Sequence, residues 1–234
     1  MPITLRPLMI FTLLSAPPSF GLNANIVDDE HAGRSAYSTQ TAAPQEAPGP
    51  DLFRENFDNP STLWPQNEKA YVEKGKLVVK GDCVAPVGAY VYEDFEATVV
   101  ATLFTGVQRE EKGATRSTAD ITSLPVIGLS FRVNQDGYYT VLLSPLGGSG
   151  EGVYKLFKVV NGKQIEVTSW RRDKAIKMRN EITVRCAGSR IDLYVNAIRI
   201  ADFKDESHKS GRFTLVFSGG LGSFDDLVIK RLKN

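Results

Sequence analysis

The chain has 234 residues, 42% of them hydrophobic, and its 28 Lys and Arg residues nearly balance 27 Asp and Glu residues. This length suits one sizeable domain with a packed core and additional segments. The net charge of +1 gives no broad positive field, which argues against nucleic acid and anionic membranes as partners.

The N-terminal segment, residues 1–24, has the order of features typical of a secretory signal. An arginine precedes the apolar run Leu8–Leu14, and small residues follow it. The run is shorter than the roughly 20 apolar residues that cross a bilayer, so no membrane span is predicted. Residues 25–50 are rich in Ala, Pro, Ser and Thr and predict a flexible spacer. We therefore expect a secreted or periplasmic protein whose folded domain occupies residues 51–234.

Most of the predicted domain consists of short segments in which apolar and polar residues alternate, with Gly, Asn, Asp or Ser at the joints. Alternation of this kind predicts antiparallel strands. Asn161-Gly162 is among the strongest short hairpin signals. No segment has a convincing helical period. The main predicted strand segments are 71–81, 89–104, 126–133, 138–144, 154–160, 165–170, 181–187 and 190–196.

The two cysteines, Cys83 and Cys186, both fall at or near predicted strands. In an exported protein they can form a disulfide, provided that their Cα atoms lie within about 7 Å. The alternative is a pair of buried thiols that pack as small apolar residues.

One face of the predicted sheet is polar. Alternation along residues 126–133 puts the apolar side chains on one face and Arg132 on the other. Tyr138, Thr140 and Trp170 are expected on this same polar face. A guanidinium and aromatic rings suit sugar hydroxyls and the apolar patches of pyranose rings. The same residues also occur in ordinary sheets, where Arg132 would form a cross-strand ion pair.

Asp94 and Glu96 are two residues apart on one predicted strand, so their carboxylates are expected on one face at roughly 7 Å. That separation is compatible with acid and base catalysis on a glycosidic bond. The alternative is two solvated surface acids.

Metal and cofactor chemistry has little support in the sequence. His31 lies in the spacer and His208 in a loop, so no histidine pair is expected to hold zinc. Asp58, Asp225 and Asp226 are candidates for a structural Ca²⁺, and capping of turns is the alternative role for these acids. No other cofactor is predicted.

Several segments together resemble concanavalin A-like jelly-roll domains of exported bacterial proteins, in particular the 3-keto-disaccharide hydrolase family and laminin G-like modules. The resemblance rests on FDNPSTLW, VEKGKLVVKG, YEDFEATV, IGLSFRVNQDGYYTVLL, NEITVRCAGSRIDLYVNAIRIADF and FDDLVIKRL. It implies a sandwich of two antiparallel sheets. The family's Asn-Ser-Gly-Ile run is replaced here by residues 125–129, and its expected Asn-Gly by Asn196-Ala197.

Three functions follow as expectations. The first is a carbohydrate-binding module in which Arg132 anchors hydroxyls, Glu96 and Thr140 form hydrogen bonds, and Trp170 or Tyr138 stacks on the sugar. The second, implied by the resemblance, is hydrolysis of 3-keto-disaccharides with Asp94 or Glu96 as the base and Arg132 polarising a sugar oxygen. The third is a noncatalytic envelope domain or adaptor without a sugar pocket.

Overall fold

The computed structural model describes residues 51–59, 63–64, 66–104, 124–147 and 150–232. Within these ranges the chain is all-β and contains no helix. Accordingly, no described helix has the length and apolar character to cross a membrane. The predicted signal and spacer, with His31, lie outside the described residues.

Fourteen strands lie within the described ranges, and all their pairings are antiparallel. They are β1 (Asp51–Glu55), β2 (Ala70–Glu73), β3 (Lys76–Lys80), β4 (Cys83–Tyr92), β5 (Phe95–Phe104), β6 (Val126–Asn134), β7 (Gly137–Ser144), β8 (Gly152–Val160), β9 (Lys163–Asp173), β10 (Arg179–Ala187), β11 (Arg190–Val195), β12 (Ile198–Lys204), β13 (Gly211–Ser218) and β14 (Leu221–Arg231).

The strands form two sheets. The eight-stranded sheet has the order β12-β11-β10-β5-β14-β3-β2, and β1 also pairs with β14. The six-stranded sheet has the order β4-β13-β6-β7-β8-β9. Six of the connections between consecutive described strands cross from one sheet to the other, as connections do in a jelly roll. The predicted sandwich of two antiparallel sheets is confirmed.

The core lies between the inner faces of the two sheets. On β6 the inner residues are Ile127, Leu129 and Phe131, all at most 1% exposed, in agreement with the predicted alternation. The eight-stranded sheet contributes equally buried residues, such as Val99 and Ile182. Side chains of odd and even positions therefore separate into an inner and an outer set, as the pleat requires.

Several hairpins turn through left-handed backbone positions. Asn161 and Gly162 join β8 to β9 with φ of 50° and 76°, which confirms the hairpin that their sequence predicts. Asn196 and Ala197 join β11 to β12 with φ of 52° and 65°. The turn expected for Asn-Gly is retained, although Ala is strained at such angles.

Arg132 marks the point where alternation along β6 fails. Between the pairs Val133–Arg212 and Ser130–Thr214, two residues of β6 face one residue of β13. Arg132 has φ of 51°, consistent with a β-bulge that re-aims its side chain. It is 1% exposed, so the predicted outward orientation of Arg132 is wrong.

Candidate functional site

The outer face of the six-stranded sheet carries an apolar and aromatic cluster, which we call the outer cluster. Its members are Val126, Leu142, Val153, Phe157 and Trp170. They are between 1% and 7% exposed. Partly buried residues, among them Tyr138, pack against them. An antiparallel sheet normally packs one face on the core and leaves the other to water. A second buried apolar cluster on that face is therefore unusual, and its partly buried edge, where Tyr138 lies, is the part that a ligand or partner can reach.

A β-bulge in the edge strand β9 lies beside Lys155 on this face. Tyr154 pairs with Arg171 and Leu156 pairs with Thr168, so Ser169 and Trp170 together face Lys155. The bulge brings the Trp170 indole to the outer face beside the Lys155 strand position. One aromatic ring and one cationic side chain thus share this face.

Lys155 is the buried cation of this face. It is 3% exposed and forms an ion pair with Glu166 of β9, whose side chain is half-exposed. Along β8 it lies between Val153 and Phe157, and across the sheet it pairs with Leu142. Removing an ammonium from water costs free energy that only a close anion or several acceptors can offset. Glu166 supplies that anion.

Polar groups complete the face. The Ser130 and Thr140 hydroxyls share a buried hydrogen bond of 2.7 Å. Trp170 Nε1, by contrast, is shielded from water and has no hydrogen-bond acceptor among the described residues. A buried donor without an acceptor is costly and calls for an explanation. An oxygen of a bound molecule is one group that would satisfy it.

Three of the predicted site residues are brought together. Tyr138 and Thr140 of β7 and Trp170 of β9 all lie on this outer face. Tyr138 is only half-buried and is therefore the accessible edge of the group. Their common face was predictable from alternation, and their role in binding stays a prediction.

Arg132 does not join them. Its guanidinium lies at one end of the sandwich and donates hydrogen bonds to the carbonyl oxygens of His208, Glu93 and Gly188 at 2.8 to 3.0 Å. Its Nη2 also lies 3.7 Å from the Asp94 carboxylate. The side chain ties turns of both sheets together and is enclosed by protein.

The Asp94 and Glu96 carboxylates have different surroundings. Asp94 precedes β5, and its Oδ1 accepts a 2.7 Å hydrogen bond from the Gly188 amide. Glu96 lies instead on the outer face of the eight-stranded sheet, in a polar cleft of about 310 Å³ with Arg54 and Lys230. Asp94 lies in the turn before β5 and Glu96 lies within the strand, and their action as an acid and base pair stays a prediction.

Two of the three calcium candidates, Asp58 and Asp225, have carboxylates that accept local hydrogen bonds. Asp225 accepts hydrogen bonds from Lys76 Nζ at 3.0 Å and from the Asp226 amide at 2.8 Å. Asp58 accepts from the Asn56 amide group at 2.6 Å. Across the described ranges, no three His, Cys, Asp or Glu side chains gather as a metal site.

Cys83 and Cys186 are unpaired thiols, so the disulfide interpretation is wrong and the alternative of two thiols holds. Cys83 lies on β4 of the six-stranded sheet, whereas Cys186 lies on β10 of the eight-stranded sheet. Burial raises the pKa of the Cys186 thiol to about 12.

A polar network surrounds His208 at the Arg132 end of the sandwich. Tyr139 donates a 2.7 Å hydrogen bond to Asp205, and Lys158 Nζ contacts the other carboxylate oxygen at 2.5 Å. Burial alone would raise the pKa of Asp205, but hydrogen bonds from Lys158, Tyr139 and Ser207 hold that pKa below its ordinary value. The buried His208 ring contacts the Val159 carbonyl oxygen through Nε2 at 2.7 Å. This network is a structural anchor and lies outside the outer cluster.

Solved structures provide the comparison for the fold. The carbohydrate binding module CBM66 from Bacillus subtilis matches with a TM-score of 0.51 and 16% identity, over 71% of this chain and 90% of that chain. The catalytic domain of an endo-1,3-β-glucanase (laminarinase) from Thermotoga petrophila matches with a TM-score of 0.53 and 12% identity, over 79% of this chain and 98% of that domain. The β-glucanase of Bacillus licheniformis matches with a TM-score of 0.51 and 10% identity, over 77% of this chain and 98% of that enzyme.

The chain has a concanavalin A-like jelly-roll fold. No family model matches the sequence, and no curated protein matches it. At such low identities the likeness establishes the architecture, and function has to be argued from the site.

Sequence reasoning missed Lys155, Glu166 and Phe157. Lys155 and Phe157 alternate with the inner residues Tyr154 and Leu156, so their outward placement was available from the pattern. The burial of these residues could not be predicted from the pattern, because an outward lysine in a strand ordinarily points to water.

Proposed function

We propose that the protein recognises carbohydrate through the outer cluster and the polar side chains around it. The observation that carries this proposal is the buried Trp170 indole N–H, which lacks an acceptor among the described residues and lies within an aromatic face. Saccharides present apolar ring faces together with many hydroxyl oxygens, and this face offers surfaces for both.

Each part of the ligand has a counterpart. The half-buried Tyr138 ring provides the accessible apolar area at low cost in side-chain entropy, and it packs against the cluster that contains the buried Phe157 and Trp170 rings. The Trp170 N–H and the Lys155 ammonium donate to sugar oxygens, and the Thr140 hydroxyl both donates and accepts. Binding sites are commonly mostly apolar with a few placed polar groups, which is the composition of this face.

The solved structures that share the fold give independent support. One is described as a carbohydrate binding module and two as β-glucanases, one of them a laminarinase. Because fold alone does not fix function, this likeness supports the ligand class and no specific glycan.

Binding has more support than hydrolysis. A 3-keto-disaccharide hydrolase, the activity implied by the sequence resemblance, would use Asp94 or Glu96 as a base with Arg132 as an electrophile. Asp94 lies 3.7 Å from Arg132, but the Arg132 guanidinium is buried and occupied by three main-chain carbonyl oxygens, so it is not free to polarise a sugar oxygen. Glu96 lies in a separate polar cleft on the outer face of the eight-stranded sheet.

The expected setting is outside the cell or in the periplasm, as the N-terminal segment predicts. Carbohydrate recognition there needs no cofactor. Both statements belong to the proposal.

Isothermal titration calorimetry of the full chain against a panel of oligosaccharides tests this function. We expect binding by at least one class. Tyr138→Ala should weaken it about fivefold because it removes an aromatic contact worth about 1 kcal/mol. Trp170→Phe should weaken it by a similar factor because it removes the indole N–H donor, and a hydrogen bond contributes about 1 kcal/mol. Tyr90→Ala is the matched control, because Tyr90 is 63% exposed on edge strand β4 and outside the cluster. Absence of saccharide binding, or equal losses in all three variants, would refute the proposal.

A further inference from the structure

The charges on the outer face of the six-stranded sheet are arranged around Lys155. Its ammonium is the buried charge, and Glu166 is its ion-pair partner. Glu166 has no other recorded partner among the described residues. Arg172 lies on the same face, across from Val153, and donates a 2.7 Å hydrogen bond to the Gly147 carbonyl oxygen.

The two partners of the ion pair differ in exposure. Lys155 is held among apolar side chains on β8, the strand next to the edge strand β9. Glu166 lies on the edge strand β9 with its side chain half-exposed, so it can rotate into water without breaking another recorded contact. An exposed carboxylate loses little free energy on leaving such a pair, whereas a buried ammonium cannot remain without an anion.

We infer that the saccharide recognised by this face carries an anionic group, a carboxylate or a sulfate ester, which replaces the Glu166 carboxylate on Lys155 Nζ. This inference rests on the proposed function and names its ligand class. Glu166 then acts as an internal substitute for the ligand's anion in the free protein.

The exchange is balanced in charge and contacts. A neutral saccharide that covers Lys155 must bury the whole ion pair, including the half-exposed carboxylate, and so adds a desolvation cost. An anionic saccharide exchanges one carboxylate or sulfate for another and returns Glu166 to water. Discrimination between charged and neutral ligands follows from this difference.

Titration calorimetry with three oligosaccharides of equal length tests the inference: a neutral glycan, its uronic acid counterpart and a sulfated counterpart. We expect one or both of the acidic ligands to bind about tenfold more tightly than the neutral one, corresponding to 1.4 kcal/mol. Their affinity should fall as salt concentration rises, because the attraction is electrostatic. Comparing the two acidic ligands identifies which anion the site prefers.

Two variants separate the roles of the ion pair. Glu166→Gln removes the competing carboxylate and should raise affinity for the acidic glycan several-fold, with little effect on the neutral one. Lys155→Met should abolish the preference for acidic ligands. Lys163→Met is the control, because Lys163 is an exposed lysine at the start of β9, the strand that carries Glu166. Glu166→Gln keeps the test valid if Lys155→Met does not fold.

The outcomes separate this inference from the proposed function. Equal affinity for neutral and acidic glycans, with no gain in Glu166→Gln, overturns the anionic ligand and leaves carbohydrate recognition in place. No binding by any of the oligosaccharides overturns both. Preference for an acidic glycan that is lost in Lys155→Met supports both.

Discussion

The Arg132 guanidinium donates a 2.8 Å hydrogen bond to the carbonyl oxygen of Gly188, and this contact joins the two sheets. Arg132 belongs to β6 of the six-stranded sheet, and Gly188 lies in the turn between β10 and β11 of the other. Further hydrogen bonds reach the Glu93 and His208 carbonyl oxygens. A single buried cation therefore satisfies three main-chain acceptors at one end of the sandwich.

Replacing Arg132 should destabilise the fold. Arg132→Met leaves these acceptors buried without donors and is expected to lower the free energy of unfolding by about 3 kcal/mol. Urea unfolding followed by tryptophan fluorescence measures the loss. Arg179→Met is the control because Arg179 is exposed on β10. If Arg132→Met instead retained full stability, the anchoring role of this side chain would be wrong.

The turn at Asn196-Ala197 predicts a stabilising change. Ala197 has φ of 65°, a left-handed angle that Gly adopts without steric cost and Ala does not. Ala197→Gly should raise the free energy of unfolding by about 1 kcal/mol and the Tm by about 2 to 4 °C. The exposed Ala187→Gly on β10 is the contrasting variant and should be neutral or destabilising. An unchanged or lower Tm for Ala197→Gly would contradict the strain argument.

Local sequence patterns were sufficient for the architecture. Alternation predicted the strands, and Asn161-Gly162 predicted the hairpin between β8 and β9. The alternation of apolar and polar residues also assigned Tyr138, Thr140 and Trp170 to one face, and the three residues lie together there in the structure. These features depend on neighbours in the chain, which a single sequence contains.

The features that sequence reasoning predicted wrongly or missed depend on contacts between segments that are distant in the chain. The bulge at Arg132 arises from its register with β13 and β7, so alternation alone assigned its side chain to the wrong side. The sheet membership of Cys83 and Cys186 is likewise a matter of topology. The contact between Lys155 and Glu166 requires the pairing of β8 with β9 and two irregularities in its register.

The two thiols should differ in reactivity. Cys83 is half-buried and lies beside a surface cleft, whereas Cys186 is fully buried. Burial raises the pKa of both thiols, that of Cys186 to about 12, which suppresses the reactive thiolate. In the native protein, we expect a thiol reagent to label Cys83 slowly and not to label Cys186. After unfolding, the reagent should label both cysteines. The intact mass without reductant should correspond to two free thiols, and a mass lower by two hydrogens would contradict this arrangement.

Asp205 predicts how stability depends on pH. Burial opposes its charge, but hydrogen bonds from Lys158, Tyr139 and Ser207 outweigh burial and lower the folded-state pKa below the ordinary value of 3.8. A carboxyl group whose pKa is lower in the folded state binds its proton more readily when unfolded. Its contribution is therefore fully present above about pH 4 and is lost as pH falls through the folded-state pKa.

Asp205→Asn removes this dependence. The variant should be less stable than the parent protein at neutral pH, because Lys158 loses its charged partner. The difference between the two proteins should shrink steadily as pH falls below about 4, because the parent protein then also loses the carboxylate. Urea unfolding at a series of pH values from 7 to 2 measures both curves. Glu206→Gln is the control, since Glu206 is exposed on the neighbouring position. A difference that stays constant across this range would assign the effect of Asp205 to packing and not to its charge.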